Sequence, residues 1–165
     1  MKRSLLIVVS GPAGSGKTTL CARLTSAAPQ TIRRVITCTT RAPRAGEVDG
    51  VDYYFLKREE FEAQVAQGLF LEHATVHGNL YGPRLADVAK HLAAGFDALL
   101  NVDVQELRRR LTGRGTDAAE EIERRLAVAQ QEMAHANEYQ HVIESASREA
   151  DFAALWNIYQ KEKQA

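Results

Sequence analysis

The first apolar positions of the chain form one continuous run instead of alternating with polar ones. Leu5 to Val9 are all aliphatic, and Ser10 and Gly11 end the run. A short run of this kind predicts a strand buried on both faces of a parallel sheet, and we expect it to be a central strand. Thr18 to Ala27 then predicts a helix, so a strand, a glycine-rich turn and a helix follow one another.

The middle of the chain changes to shorter runs separated by turn residues. Val35 to Thr39 and Tyr53 to Leu56 have strand character, and the stretch between them is rich in arginine and glycine. This pattern predicts a small β-rich insertion in the domain. The elements expected next are a helix over 59–67, an extended segment over 69–77, a turn over 78–82, a helix over 85–94 and a second buried strand over 98–104.

The last third of the chain has the period of helices. Residues 117–137 carry Ile122 and Leu126 on one side, which predicts the longest helix, with an N-cap at Thr116 or Asp117. A weak edge or last strand over 141–143 and a closing helix over 148–163 are expected after it. Strands that alternate with helices in this way predict an α/β domain of three layers with a mostly parallel sheet.

The composition limits the size of the protein and the class of its partners. With 165 residues and 45% hydrophobic content, the chain is long enough for one domain with a substantial core. Its 21 basic residues balance its 21 acidic ones, which argues against nucleic acid or an anionic membrane as a partner. No apolar run approaches the roughly 20 residues of a membrane span. The two cysteines, Cys21 and Cys38, fit a reduced, cytoplasmic protein.

The clearest chemical motif lies between the first strand and the first helix. The phosphate-loop pattern GxxxxGK(S/T) is matched by Gly11, Pro12, Ala13, Gly14, Ser15, Gly16, Lys17 and Thr18. Glycines let backbone N–H groups point at phosphate oxygens, and the following helix adds its positive end. Lys17 then reaches the β and γ phosphates, and Thr18 is placed to bind Mg²⁺. We expect ATP to bind here, with Thr19 beside it.

A phosphate loop indicates the donor but not the acceptor, so motifs further along the chain decide between acceptors. These motifs are Thr37 to Glu47, Asp52-Tyr53, Phe70 to Glu72, Gly78 to Gly82, Asn101 to Gln105, and Arg114 to Asp117 followed by Arg124-Arg125-Leu126. Together, and in this order, they resemble the guanylate kinase family from the first strand to the end of the long helix. The resemblance implies a three-layer P-loop kinase fold with an acceptor-binding β-rich insertion and a helical lid.

The same resemblance implies that ATP and GMP are the substrates. The residues that it assigns to GMP are Thr37, Arg41, Arg44, Tyr53, Glu72, Tyr81, Asn101 and Asp103. Two arginine forks can grip one monophosphate. Glu72 is assigned to the base because a carboxylate accepts hydrogen bonds from both the N1–H and the N2 amine of guanine, whereas adenine offers no such pair. Thr37 would donate its hydroxyl to the guanine O6.

Catalysis is assigned to residues around the transferring phosphoryl group. The resemblance implies Lys17, Arg41, Arg44, Arg114 and Arg125, of which the last two arrive when the lid closes. The implied cofactor is Mg²⁺, bound by Thr18 and contacted by Asp103 through water. The implied domain plan is a core with the phosphate loop over 1–34, a GMP-binding insertion over 35–81, core over 82–111, the lid and long helix over 112–137, and a core C-terminal strand and helix over 138–165.

Two residues and one short segment depart from the family pattern. Pro83 stands where the family has Ser or Thr, which removes one hydroxyl contact to the acceptor. Asn101 takes a position that is often acidic, so specificity depends more on Glu72. Residues 144–147 replace the loop that the family sets beside adenine, and no donor-base site is assigned.

Two other functions remain open on these residues. A non-catalytic module of related fold would bind phosphopeptides with its acceptor-side arginines and tyrosines, although the intact phosphate loop argues against it. A related kinase would phosphorylate a ribosyl phosphate, although Thr37, Glu72 and Tyr81 favour a guanine acceptor.

The junction between Gln105 and Glu106 is too short for the topology of the family. In guanylate kinases a glycine, a helix and another buried strand intervene before the lid, and a crossover into a parallel sheet needs about a dozen residues or more. We therefore expect that a segment is missing between these two residues and that the continuous numbering conceals a break.

Overall fold

The computed structural model describes residues 4–11, 15–76, 78–101 and 139–165. Its strands are β1 (Leu6–Val9), β2 (Ile32–Arg34), β3 (Thr37–Thr39), β4 (Tyr54–Phe55), β5 (Ala74–Val76), β6 (Asn79–Pro83) and β7 (Asp97–Asn101). Its helices are α1 (Lys17–Ala27), α2 (Arg58–Ala66), α3 (Leu85–Ala93) and α4 (Arg148–Gln164). The described strands form two separate sheets.

The main sheet is parallel and has the described order β1-β7-β2. Its middle strand, β7, is buried at every residue except the last. It pairs with β1 from Leu6 opposite Ala98 to Val9 opposite Asn101. Parallel strands bring their carboxyl ends to the same edge of a sheet. The phosphate loop that follows β1 therefore begins beside Asn101.

Helices cover both faces of this sheet. On one face, Leu99 of β7 belongs to a core that contains Leu24 of α1 and Leu155 of α4. On the opposite face, Leu100 packs in a core with Val88 of α3. Successive side chains of a strand point to opposite faces, so β7 supplies both cores. The predicted three-layer α/β arrangement is confirmed.

Strand β1 differs from its predicted environment. Ile7 and Val9 pack against the core shared with α1 and α4, whereas Leu6 and Val8 point the other way and are 45% and 48% exposed. Within the described part of the sheet, β1 pairs only with β7. The prediction that β1 is buried on both faces is wrong because Leu6 and Val8 are exposed and, among the described residues, the core beside α3 includes β7 but not β1. The central position of β1 in the sheet stays a prediction.

A buried carboxylate fastens the start of β7 to β1 and α4. Asp97 is fully buried and accepts hydrogen bonds from the Leu5 N–H at 2.8 Å and the Tyr159 hydroxyl at 2.9 Å. The Lys163 ammonium donates to the same carboxylate at 2.7 Å, and the Thr31 hydroxyl lies 3.1 Å from that of Tyr159. Because a buried charge is tolerated only when it is paired and hydrogen bonded, this network holds α4 against the amino ends of the strands.

The residues between β2 and α3 form a smaller sheet that packs against α2. Its order is β4-β3-β6-β5, and β6 pairs antiparallel with both of its neighbours. Cys38, Phe61, Phe70 and Leu80 form a core of their own, in which the two phenylalanine rings stack with centroids 4.3 Å apart. This sheet corresponds to the small β-rich insertion expected from the sequence.

The turn predicted over 78–82 is wrong, because most of that segment belongs to β6. Pro83 has no N–H to donate, but its carbonyl oxygen accepts a hydrogen bond from the Leu71 N–H at 2.9 Å. A Cβ on Gly82 would lie 2.7 Å from the carbonyl oxygen of Glu72. Glycine therefore marks the close approach of two backbone segments here, and not a turn.

The strand predicted over 141–143 is also wrong, since residues 141–147 form the loop that leads into α4. The Ser147 hydroxyl accepts a hydrogen bond from the Ala150 N–H at 3.1 Å, as an N-cap does. The Asp151 carboxylate accepts another from the Ser145 hydroxyl at 2.6 Å. Such local side-chain bonds compete with a sheet ladder.

Several predictions concern residues outside the described part of the chain. They are the loop positions Pro12, Ala13 and Gly14, the role of Asp103, the lid with Arg114 and Arg125, the long helix over 117–137, and the junction of Gln105 with Glu106. All of these stay predictions. Among the described helices, none is long and apolar enough to cross a membrane.

Candidate active site

The phosphate loop leads from β1 into α1. Gly16 has a φ of 81°, a left-handed conformation that glycine adopts without strain, and α1 begins at the next residue. The Lys17 ammonium donates a hydrogen bond to the Gly11 carbonyl oxygen at 2.6 Å, so this side chain curls back over the loop. A lysine beside the amino end of a helix suits a polyphosphate anion.

Thr18 lies in the first turn of α1 and meets the end of β7. The Asn101 amide nitrogen donates a hydrogen bond to the Thr18 hydroxyl oxygen at 3.3 Å. A hydroxyl oxygen such as that of Thr18 is a suitable ligand for a hard cation such as Mg²⁺. The structure thus places Asn101 against the phosphate loop, which we also call the donor loop because it is expected to bind the phosphoryl donor ATP. The contact of Asn101 with the acceptor stays a prediction.

An arginine and two tyrosines meet at one end of the small sheet. Tyr81 of β6 pairs with Thr39 of β3, and its ring meets that of Tyr53 edge-on, with centroids 6.0 Å apart. The Arg41 guanidinium lies 5.5 Å from the centre of the Tyr53 ring. Burial raises the pKa of the Tyr53 hydroxyl, so it remains a hydrogen-bond donor at neutral pH. A cation and phenolic hydroxyls together suit a phosphate monoester.

Arg41 also forms an ion pair with Glu47, a residue to which the sequence assigned no role. The closest nitrogen–oxygen distance is 2.8 Å. Hydrogen bonding between the two raises the pKa of the Arg41 guanidinium and lowers the pKa of the Glu47 carboxyl, so both are charged at neutral pH. The available sequence signal was an acid three residues after Arg44, at the end of a glycine-containing turn.

The other end of the small sheet carries Glu72 and Thr37. Glu72 is half-buried, and burial raises the pKa of its carboxyl. Among the described residues, nothing donates a hydrogen bond to this carboxylate. Thr37 pairs with Pro83, next to the point where Gly82 touches the backbone of Glu72. A half-buried carboxylate without a donor is unfavourable, so a ligand that supplies donors would be stabilised here.

Two residue steps along the ladder between β3 and β6 separate the end of the small sheet that carries Arg41 and the tyrosines from the end that carries Glu72. Thr37 is opposite Pro83 and Thr39 is opposite Tyr81, a spacing of about 7 Å at a rise of about 3.4 Å per residue. Positive charge and hydroxyls therefore lie at one end and a carboxylate at the other. A small molecule with an anionic group and a donor-bearing ring matches this polarity.

Most of the residues that the sequence assigns to the acceptor lie on or beside the small sheet. They are Thr37, Arg41, Arg44, Tyr53, Glu72 and Tyr81. The described part of the donor loop consists of Gly11, Ser15, Gly16, Lys17, Thr18 and Thr19. The structure brings Arg41, Tyr53 and Tyr81 together, and it places Arg44 on the loop that follows Arg41. The ligand contacts of all these residues stay predictions.

The sequence also matches a protein-family model over most of its length. That model describes guanylate kinase, and the match covers residues 3–109. The chain belongs to the guanylate kinase family. The match includes the phosphate loop, the small sheet and β7, so both halves of the site described above lie within the guanylate kinase region.

Individual guanylate kinases resemble the chain over nearly all of its length. That of Thiobacillus denitrificans is 43% identical over an alignment of 162 positions, gaps included, and the match covers 84% of this chain and 77% of the relative. That of Clostridioides difficile is 35% identical and covers 99% of this chain and 90% of its own. The crystal structure of guanylate kinase from Anaplasma phagocytophilum matches with a TM-score of 0.73 and 28% identity, covering 100% of this chain and 89% of that one. The predicted family and P-loop kinase fold are confirmed.

Some of these guanylate kinases contain residues that this chain lacks. The match to the Clostridioides difficile protein extends over 186 residues, which is 21 more than the 165 of this chain. A shorter chain agrees with the expectation of a missing segment. Its position between Gln105 and Glu106 lies outside the described residues and stays a prediction.

Proposed function

We propose that this member of the guanylate kinase family transfers the γ-phosphoryl group of ATP to GMP, which yields ADP and GDP. The observation that carries the proposal is the position of Glu72, a half-buried carboxylate without a described donor. It lies two ladder steps from Arg41, Tyr53 and Tyr81, whose end of the small sheet we call the phosphate end. A nucleoside monophosphate with hydrogen-bond donors on its base fits both ends. The similarity to proteins named guanylate kinase supports the same substrates.

Guanine suits Glu72 better than adenine does. Guanine presents its N1–H and its N2 amine side by side, and a carboxylate accepts from both, whereas adenine presents no such pair. These donors offset the unfavourable burial of the carboxylate. The Thr37 hydroxyl, opposite Pro83 on the ladder, would donate to the guanine O6.

The acceptor phosphate would lie between Arg41, Arg44, Tyr53 and Tyr81. Arginine presents a planar fork of donors that matches two phosphate oxygens at once. The Tyr53 hydroxyl adds a neutral donor, because burial raises its pKa. The Tyr81 ring lies beside that of Tyr53 and would bring a second hydroxyl to the phosphate. These contacts would fix the phosphate and orient one of its oxygens toward the donor.

The donor loop would hold ATP by its backbone N–H groups and Lys17. An oxygen of the GMP phosphate attacks the γ-phosphorus, and the bond from that phosphorus to the β,γ-bridging oxygen breaks as ADP leaves. Lys17 stabilises the charge on the phosphates throughout this step. Arg114 and Arg125 would complete the positive environment when the lid closes, and closure would exclude water from the phosphoryl group.

The proposed cofactor is Mg²⁺, held on the protein side by the Thr18 hydroxyl. The Asn101 amide donates its N–H to that hydroxyl oxygen and brings no charge, and the neutral Thr18 oxygen is a ligand of the kind that suits a hard cation. When bound, Mg²⁺ neutralises charge on the β and γ phosphates. Asp103 would contact it through water.

ADP release with GMP, AMP and ribosyl phosphates as acceptors separates the three candidate functions. We expect release with GMP and little with the others, and we expect Lys17→Met to lose most of it, which excludes a contaminating kinase. Comparable turnover of a ribosyl phosphate would support the related kinase instead. If the protein binds a phosphopeptide and releases no ADP from ATP with any of these acceptors, the result would support the non-catalytic module.

A further inference from the structure

One carboxylate connects the two arginines of the phosphate end. The Nη2 of Arg41 donates to both oxygens of Glu47, at 2.8 Å to Oε1 and 2.9 Å to Oε2. The side chains are only 16% and 19% exposed. Oε2 also accepts a hydrogen bond from the backbone N–H of Arg44 at 2.7 Å. Glu47 therefore joins the guanidinium of Arg41 to the backbone that carries Arg44.

Glu47 also closes the turn that runs from Arg44 to Glu47. The Glu47 N–H donates to the Arg44 carbonyl oxygen at 3.0 Å, so the backbone and the side chain of Glu47 both bond to Arg44. Gly46 in this turn has a φ of 88°, a left-handed conformation that favours glycine. Such reciprocal bonds define a single geometry for the loop over 41–47.

The guanidinium of Arg41 is fixed from other sides as well. Its Nη1 donates to the Ala42 carbonyl oxygen at 2.7 Å. Its central carbon lies 5.5 Å from the centre of the Tyr53 ring and 6.0 Å from that of Phe55. A guanidinium held by an acid, a carbonyl and two rings has lost its rotational freedom before any ligand arrives.

We propose that Glu47 is a positioning residue for the acceptor phosphate, which holds the Arg41 guanidinium and the Arg44 backbone in the arrangement that receives the phosphate. The proposal rests on the proposed function, because the phosphate in question is that of GMP. A flexible arginine side chain loses conformational entropy when it binds a ligand, which weakens binding. A side chain that is already ordered in the free protein has lost this entropy on folding, so binding does not include that cost. Glu47 thus contributes to phosphate affinity without touching the ligand.

The geometry argues against the opposite role, in which Glu47 competes with the phosphate for Arg41. Both carboxylate oxygens share one nitrogen, Nη2, and do not span two nitrogens of the fork as a bidentate oxyanion does. Release of the carboxylate would also break its bond to the Arg44 N–H. A competitor would be expected to bind Arg41 alone.

The test compares ligands with and without a phosphate on full-length Glu47→Ala and Glu47→Gln proteins. Calorimetric dissociation constants for GMP and guanosine, with kcat and the KM for each substrate, are the readouts. We expect Glu47→Ala to weaken GMP binding by about tenfold or more, the size of a lost charge-assisted bond, and to leave guanosine binding unchanged. Glu47→Gln keeps one acceptor oxygen and should lose less, which provides a folded comparison if the alanine protein is unstable.

Glu62→Gln is the matched control. Glu62 pairs with Arg58 at 3.3 Å on the exposed surface of α2, with side chains 58% and 47% exposed, so its loss should change neither ligand. Unchanged GMP binding by both Glu47 variants would overturn the proposal. Tighter GMP binding would show that Glu47 competes with the phosphate, and an equal loss for guanosine would show a merely structural role. If the unsubstituted protein itself fails to bind GMP, the proposed function fails and this inference fails with it.

Discussion

Asn101 donates a hydrogen bond to Thr18 across 3.3 Å, so a neutral amide from β7 faces the hydroxyl that is proposed to bind Mg²⁺. The amide uses its nitrogen for this contact and brings no charge to the site. A carboxylate in its place would accept a hydrogen bond from the Thr18 hydroxyl and add a negative charge near the cation. The identity of this side chain therefore controls the electrostatic environment of the donor loop.

Asn101→Asp is expected to lower the Mg²⁺ concentration needed for half-maximal ADP release by up to about fivefold, because a partly exposed charge contributes about 0.2–1 kcal/mol. The dissociation constant of Mg²⁺–ATP, measured by calorimetry, should decrease in parallel. Asn101→Ala is the control, since it removes the hydrogen bond without adding a charge and should not tighten metal binding. Identical Mg²⁺ titrations for Asn101→Asp and the unsubstituted protein would contradict the prediction.

Glu72→Gln is expected to reduce the preference for GMP over AMP. The substitution replaces an acceptor oxygen with an amide that points donors at the donors of guanine, and losing a matched buried contact costs about 1–3 kcal/mol. The ratio of kcat/KM for GMP and AMP should therefore fall by about fivefold or more. Glu59→Gln, on the exposed surface of α2, should leave the ratio unchanged. A ratio unaltered by Glu72→Gln would remove Glu72 from the base site.

The same substitution is expected to stabilise the protein when no nucleotide is bound. Burial raises the pKa of the Glu72 carboxyl, so the folded state holds a proton at pH values where the unfolded state has released it. The stability contributed by this group is complete below the unfolded pKa and is lost as pH rises through the folded pKa. Glu72→Gln does not ionise, so its urea midpoint should exceed that of the unsubstituted protein at about pH 7 and match it at about pH 4. A lower midpoint for Glu72→Gln at neutral pH would show that the carboxylate is stabilised by a group within the protein.

The sequence predicted those elements whose local pattern agrees with their surroundings. Helices α1, α2, α3 and α4 begin and end within about one residue of the expected positions, because apolar period and end signals coincide. Strand β2 gave no signal, since Ile32–Arg34 contains two arginines and is a strand only because it pairs with β7. Strand β6 was predicted as a turn because Gly82 usually signals one. Pairing on both sides overrides that local preference.

The site was predictable to the extent that its chemistry follows from residue type. Arginines, tyrosines and a lone acid in ordered motifs indicated phosphate and guanine, and the structure places them at opposite ends of one short ladder. The role proposed for Glu47 could not be predicted. Its bonds join a side chain six residues back to a backbone N–H three residues back, and this geometry exists only after the loop has folded.

Gly82→Ala is expected to destabilise the small sheet and displace the base site. The added Cβ would lie 2.7 Å from the Glu72 carbonyl oxygen and 3.0 Å from a ring carbon of Phe70, so the backbone must move, at a cost of about 1–3 kcal/mol. We expect the KM for GMP to rise more than the KM for ATP. In Gly68→Ala a Cβ meets nothing within 4 Å, but φ is 68°, so it should lose about 1–2 kcal/mol through strain without changing either KM. A normal KM for GMP in Gly82→Ala would show that Glu72 does not depend on this contact.

The exposed side of β1 predicts a tendency to self-associate. Leu6 and Val8 are 45% and 48% exposed on one face of a strand whose described pairing is confined to one edge. An edge strand with exposed apolar side chains is a site at which chains aggregate. Leu6→Lys places a charge on that side, so light scattering during heating should begin at a higher temperature. The free energy of unfolding should change by less than about 0.5 kcal/mol, as for other exposed positions.

Ile7→Lys is the matched control for Leu6→Lys, because Ile7 is the next residue along the strand and packs against the core of α1 and α4. A lysine there buries an unpaired charge, so we expect a loss of more than about 1 kcal/mol in urea unfolding and earlier scattering. The two adjacent substitutions should thus shift the temperature at which scattering begins in opposite directions. This result is expected if β1 is covered on one face and exposed on the other. Equal destabilisation by both would show that Leu6 is buried in solution and that β1 has cover on both faces.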